Sequence, residues 1–211
     1  MSDTVPVYLI LGRGGQGRDV LDALLAAGRK VAGVFDDDTP PLPSDVPILG
    51  ALADWTRWVK PGTELMPGMG DPAERSRIAA DIAARGGRLA SAIHPRAVVS
   101  PRATLGNGVF IAAGCVIAPE AVLGDLTFLN ANCAIDHDCV LGVAVQISPG
   151  VTFPGGVRVG DRAFIGAGAV ALPGKYIGIG AVVGAGSVIT KDVPDGVTVA
   201  GSPARPIQPK R

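Results

Sequence analysis

The sequence is thin in everything that would tie a chain to nucleic acid or to a lipid surface. Of its 211 residues only 4% are aromatic, and 19 basic side chains balance 19 acidic ones to a formal net charge of zero. Such a composition offers no electrostatic grip on polyphosphate, so neither a nucleic-acid partner nor an anionic membrane is expected. No apolar span approaches the length of a membrane-crossing helix. The short apolar run at residues 5–11 follows Asp3 rather than a basic segment, which argues against a secretion signal and points to the cytoplasm. Cysteine is scarce, with Cys115, Cys133 and Cys139 alone, and histidine scarcer, with only His94 and His137.

What is abundant is glycine, at 30 residues, together with a strict rhythm. Over residues 93–188 an apolar side chain returns at every sixth position, from Ile93, Val99 and Leu105 through Ile135, Leu141 and Ile147 to Ile177 and Val183, with Ala171 the one weak member. The fifth position of each hexad is small or β-branched, Lys175 being the clear exception, and glycine often fills the second: Gly106, Gly124, Gly142, Gly160, Gly166, Gly178 and Gly184. A fixed period this short marks a repeat architecture, and the hexapeptide period belongs to parallel β-helices. A helix of period 3.6 would smear the pattern around its surface, whereas short strands that turn a corner once per hexad keep both apolar phases inward. The second-position glycines are expected to supply the corner dihedrals. Three hexads per coil give roughly five coils, stacked at about 4.8 Å. All three cysteines fall on the inward fifth phase, where packing explains them better than zinc binding or nucleophilic chemistry. No metal site is expected.

The first ninety residues read differently. Residues 5–11 form a buried-strand pattern that ends in Gly12-Arg13-Gly14-Gly15-Gln16-Gly17 and opens a helical pattern at Val20, Leu21, Leu24 and Leu25. A G-x-G-x-x-G between a strand and a helix start can hold phosphate on backbone N–H groups and the helix dipole. A second strand over residues 30–35 closes on Asp36-Asp37-Asp38, and Asp36 lies 19 residues beyond Gly17, where a carboxylate accepts from ribose hydroxyls or a base. The plainer alternative is a tight turn with capping aspartates. Residues 46–50 suggest an extended segment leading to a helix that carries Trp55 and Trp58, and residues 64–67 a further strand. A helix then starts with Asp71 as N-cap, Pro72 in the first turn and Glu74 closing a capping box, and runs to Arg85. A strand over 88–92 feeds the repeat. The expected domains are therefore an α/β half-Rossmann unit with a parallel sheet, residues 1–92, and an all-β helix of hexads with a C-terminal tail, residues 93–211. One mononucleotide-binding half argues against NAD-dependent redox chemistry and for a nucleoside diphosphate.

The repeat gives way to polar residues only at 130–139, where His137 stands between Asp136 and Asp138 at or near a corner. Two carboxylates favour the imidazolium and raise basicity. The residues by themselves leave a solvated surface histidine equally open, and His94, before Pro95, reads as structural.

The register, the Asn130 to Cys139 stretch, the Gly12 to Gly17 loop with Asp36 and Asp37, and the closing Thr190-Lys191-Asp192-Val193-Pro194 and Gly201-Ser202-Pro203-Ala204 resemble the left-handed β-helix, hexapeptide-repeat acyltransferases that acetylate nucleotide-linked amino sugars. The resemblance implies a left-handed helix, a homotrimer with sites in grooves between chains, and acetyl-CoA as co-substrate. It implies His137 as general base and Asp138 as the acid that raises its basicity. Asp36, Asp37, Gly12, Gly14, Gln16 and Gly50 would contact the nucleotide sugar, and Gly155, Ala167, Ala185 and Gln146 the cofactor. Gln146 stands where close relatives carry a second histidine, and Gln16 where some have histidine. The implied reaction is N-acetylation of the 4-amino group of a nucleotide-linked 4-amino-4,6-dideoxy sugar, with GDP-perosamine the substrate pointed to, for surface polysaccharide such as lipopolysaccharide. An amine attacks a thioester directly, so the chemistry needs a proton acceptor and an oxyanion donor but no enzyme nucleophile. O-acetylation of a sialic-acid-type sugar and a non-catalytic scaffold are the alternatives. The aspartates alone do not choose between guanine and uracil.

Overall fold

The computed structural model describes residues 7–12, 14–37 and 46–207. Asp3, Val5, Pro6, Arg13, Asp38 and the residues around Ser44 lie outside the described residues. The chain divides into two compact units, Met1–His94 and Pro95–Arg211.

In the first unit β1 (Val7–Leu11), α1 (Gly15–Ala26), β2 (Val31–Phe35), β3 (Ile48–Gly50), β4 (Thr63–Pro67), α2 (Pro72–Ala84) and β5 (Arg88–Leu89) build a parallel sheet in the order β3-β2-β1-β4-β5. The central strand is apolar throughout because both its faces are covered: Leu9, Ile10 and Leu11 are fully buried. Leu9, Leu11, Phe35, Trp55, Leu65, Ile78 and Ile82 form the core. Two elements depart from the sequence pattern. The segment with both tryptophans is a 3-10 helix, Leu52–Trp58, in which residues three apart eclipse; Trp55 is buried, while Trp58 sits at the rim with its ring edge-on to Phe35, centroids 6.2 Å apart. The strand expected over 88–92 is split into β5 and β6 (Ala92–Ile93).

The second unit is a left-handed parallel β-helix. Sixteen two-residue strands run from Val98–Val99 to Val188–Ile189, one per hexad. The first thirteen each pair with the strand 18 residues on, as in Val116↔Ala134, Val122↔Val140 and Phe128↔Gln146, and so three sheets form the sides of a prism. First-position residues such as Ile117, Leu123, Ile135 and Ile147, and fifth-position residues such as Val145 and Ala163, fill its interior. Cys115, Cys133 and Cys139 are buried there, their thiols donating to the carbonyls of Asn130, Ser148 and Pro154. The hydrogen bond with Cys115 and burial together push the Cys133 thiol up, the same hydrogen bond lowers Cys115, and burial raises Cys139.

The glycine phase corrects the expectation from sequence. The left-handed corner dihedral belongs to the fourth position, taken by Gly150 and Gly156 but also by Glu120, Leu126, Asn132, Asp138, Ala144 and Arg162. Second-position glycines serve coil stacking instead. A Cβ on Gly124 would lie 2.6 Å from the carbonyl carbon and oxygen of Gly142, backbone that cannot move aside. Gly124→Ala is therefore expected to cost about 1–3 kcal/mol, the usual penalty of overpacking, read as a fall in the urea midpoint at unchanged slope.

Candidate functional site

In the first unit the chain order reverses between β1 and β4, and a crevice opens at the carboxyl ends of these strands. It holds a cavity of about 500 Å³ lined by Gly12, Gly14, Gly15, Gln16, Asp36, Asp37, Leu52, Gly68, Met69, Gly70 and Glu74. The glycine loop is close-packed: a Cβ on Gly17 would fall 2.0 Å from the Gly12 carbonyl oxygen, and one on Gly68 2.4 Å from the same atom. Helix α1 begins at Gly14 with no side chain capping it and no acidic residue in its first turn, which leaves its positive end open to an anion. Helix α2 is different, because its N-cap Asp71 already accepts from the Glu74 N–H at 2.7 Å. Asp37 accepts from the Leu52 N–H at 2.8 Å and ties the 3-10 helix to the cavity wall. Gly50 does not line the cavity; its carbonyl accepts from the Asp36 N–H at 3.2 Å, so it sets the place of the aspartate. The Gly68–Gly70 loop is held from beneath by Arg75, fully buried, whose guanidinium donates to the Met69 and Gly70 carbonyls at 2.9 and 3.3 Å. Burial lowers its pKa to about 10, with Asp71 opposing the shift, and the group stays charged at neutral pH.

In the second unit His137 and Asp138 occupy one corner of the prism. Asp138 adopts the left-handed conformation, φ 59°, which aspartate tolerates better than most residues. Its Oδ2 lies 2.8 Å from His137 Nδ1, and Asp136 Oδ1 accepts from the His137 N–H at 2.8 Å. The hydrogen bond with Asp138 and then the field of Asp136 raise the imidazole pKa above its ordinary value. With Nδ1 facing a carboxylate, the opposite nitrogen, Nε2, is the one available to a substrate proton. The ring lies over Gly155 of the next coil, where a Cβ would come within 2.5 Å of Cε1 and 2.6 Å of Nε2.

One corner thus gathers His137, Asp138 and Gly155. Ala167 and Ala185 are exposed and one coil apart, but in the turn between a different pair of sheets. Gln146 is buried, on a strand between Phe128 and Phe164. His94 Nε2 lies 3.9 Å from Asp22 Oδ2 on α1. Among the described residues no cluster of three or more His, Cys, Asp or Glu is placed to hold a metal ion, and no helix is long and apolar enough to cross a membrane.

Residues 8–82 match the PglD N-terminal domain and residues 156–191 the hexapeptide repeat of succinyl-transferase. A histidine-to-alanine variant of GDP-perosamine N-acetyl transferase from Caulobacter crescentus, in complex with CoA and GDP-perosamine, is 38% identical, with 97% of each chain covered and a TM-score of 0.91. The chain belongs to the hexapeptide-repeat sugar N-acetyltransferases. The acetyltransferase domain of PglB from Neisseria gonorrhoeae FA1090, in complex with acetyl coenzyme A, is 35% identical to this acetyltransferase over 96% of the chain and 99% of its own, with a TM-score of 0.91. WeeI from Acinetobacter baumannii AYE, 24% identical over 97% and 100% with a TM-score of 0.79, shares the fold. No curated protein sequence matches the chain.

Sequence reasoning passed over Gly68, Met69, Gly70, Leu52 and Arg75 in this acetyltransferase. Arg75 carried a signal. With Ile78, Ala79 and Ile82 it completes the buried stripe of α2, and a charge at an apolar phase of a helix marks a group with buried partners.

Proposed function

We propose that this acetyltransferase moves the acetyl group of acetyl-CoA to the 4-amino group of a nucleotide-linked 4-amino-4,6-dideoxy sugar, GDP-perosamine, in the cytoplasm, for surface polysaccharides such as lipopolysaccharide. The observation that carries this reading is the Asp138-paired imidazole of His137, poised over Gly155 and open to solvent. His137 Nε2 takes the proton that the sugar amine sheds as it bonds to the acetyl carbon, and Asp138 holds the imidazolium that results. Acetyl-CoA supplies an activated acyl carbon, whose C–S bond breaks as the amide forms, so that CoA departs as thiolate and takes up a proton to leave as the free thiol. Gly12, Gly14 and Gln16, with Asp36 and Asp37, hold the diphosphate and ribose of the sugar donor, and Gly50 positions Asp36.

The cofactor residues favour an assembly. Ala167 and Ala185 present exposed backbone with minimal side chains along one edge of the prism, which suits an extended ligand, and that edge is not the one bearing His137. A neighbouring copy in a homotrimer would supply the second wall of the groove. Gln146, buried in its own chain, belongs on this reading to the support of that groove.

The test is acetyl-CoA turnover, followed by release of free CoA thiol, with a nucleotide-linked 4-amino sugar and with a free sialic-acid-type sugar. Turnover is expected with the first alone, and sedimentation equilibrium should return the mass of three 21.3 kDa chains. O-acetylation of the free sugar, or a monomer with full activity, would overturn the reading.

A further inference from the structure

The cavity of the first unit presents the wrong charge for an anion. Its described lining carries three carboxylates, Asp36, Asp37 and Glu74, and no basic side chain, whereas a nucleotide-linked sugar brings a negative diphosphate. The compensating charge lies one layer deeper, on Arg75, which is fully buried and not part of that lining. We propose that Arg75 is a positioning residue for the nucleotide sugar: without touching the ligand, its guanidinium turns the peptide N–H groups of the loop over residues 68–71 toward the diphosphate and offsets the carboxylates of the wall. The proposal rests on the nucleotide-sugar reading above and adds to it the group that lets an acidic cavity accept an anion.

Peptide geometry fixes what the guanidinium does to the loop. In a trans peptide the C=O and the N–H point in opposite directions. The Met69 and Gly70 carbonyls accept from Arg75 Nη1 at 2.9 and 3.3 Å, so the N–H groups of Gly70 and Asp71 are turned away from the buried side, and Gly70 is exposed and lines the cavity. Successive N–H groups on one side of a loop form a concavity for an anion. This loop is also keyed to the glycine loop of α1. The Gly68 N–H donates to the Leu11 carbonyl at 2.6 Å, and a Cβ on Gly68 would lie 2.9 Å from the Gly17 Cα, so packing this close carries a shift of one loop into the other.

Burial gives the charge its reach. A buried charge is screened much less than an exposed one. Asp71, the carboxylate whose field acts on Arg75, is itself exposed and already accepts from the Glu74 N–H, so it offsets the guanidinium only in part. A planar fork that holds two carbonyls and keeps its charge is what arginine offers and lysine only partly replaces.

Calorimetric titration of the full-length protein with GDP and with guanosine tests this, because only the first carries phosphate. In Arg75→Met an apolar side chain of similar reach keeps the interior filled while the charge and the donors are lost. GDP is expected to bind about ten-fold more weakly, the worth of a hydrogen bond to a charged group, and guanosine as before. The KM for the nucleotide sugar should rise by the same factor, with kcat and the KM for acetyl-CoA unchanged, the pattern of lost uniform binding. Arg75→Lys restores the charge and part of the donor set and should recover most of the GDP affinity. GDP and guanosine weakened together would mean that Arg75 only keeps the lobe folded; that result, an unchanged GDP affinity, or a folded Arg75→Lys as weak as Arg75→Met overturns the proposal. Should Arg75→Met fail to fold, the native protein decides: inorganic pyrophosphate must shift the amide resonances of Gly70 and Asp71, and resonances that stay in place overturn it. The two readings fail separately. Phosphate-selective loss in Arg75→Met, without acetyl transfer by the native enzyme to any nucleotide-linked amine, would end the nucleotide-sugar reading alone. Acetyl transfer at an unchanged KM in Arg75→Met would end the role of Arg75 alone.

Discussion

Replacing His137 by alanine is expected to lower turnover about 10²- to 10⁴-fold, the range found when a positioned general base is removed, with little change in the affinity for nucleotide sugar. The asymmetry follows from where the side chain stands. Its own ring is 61% exposed and its chief partner is Asp138, so truncation leaves no core cavity. On the proposed mechanism it removes only the group that accepts a proton as the amine attacks. The pH profile checks the assignment independently. A base works when neutral, and the hydrogen bond with Asp138 raises the imidazole pKa above its ordinary 6.5, so the acid limb of the rate should lie above pH 6.5. Asp138→Asn removes that stabilisation of the imidazolium, and the limb should move to lower pH while Asp136 continues to hold it up. Asparagine also accepts the left-handed backbone of position 138, so the change is confined to charge. A limb that stays in place would mean that another group titrates.

The fold was legible because both periods are enforced by burial. A slip of one residue in any hexad would turn Ile117 or Ile135 out of a packed interior, and the six-residue register over nearly a hundred residues leaves no second solution. The glycine roles were less legible because two demands act on neighbouring positions. Glu120, Leu126 and Arg162 accept the strained corner, whereas nothing but hydrogen fits between Gly124 and Gly142. Sequence spacing shows that glycine recurs but not which of these demands keeps it. The candidate sites divide the same way. Gly12, Gly14, Gln16, Asp36 and Asp37 are contiguous with recognisable turns, and the structure gathers them around one cavity. Leu52 and Gly68 come from elements that only the folded sheet brings near, so no local pattern announces them. The resemblance implies a cofactor contact for Gly155. Its packing against His137 depends on the 18-residue coil, a relation visible only after hexads are grouped in threes.

That packing makes Gly155→Ala the sharpest test of the corner. Gly155 lies outside the left-handed region that favours glycine, so alanine brings no backbone strain, only a methyl group. That methyl would fall 2.5 Å from His137 Cε1, and the imidazole must withdraw by about 1 Å or swing aside to restore ordinary contact. Because the ring is exposed it can do so without disturbing the core, and the thermal midpoint should barely move. A displacement of this size in a reacting group costs about 10²-fold in rate, so kcat should fall by about that factor with KM for the nucleotide sugar nearly unchanged. The double variant separates two explanations. If Gly155 acts through the ring, adding Gly155→Ala to His137→Ala costs nothing further, because the partner of the clash is gone. If the full penalty persists in that background, the glycine contributes through its own backbone, and the position of the imidazole is set by Asp138 alone.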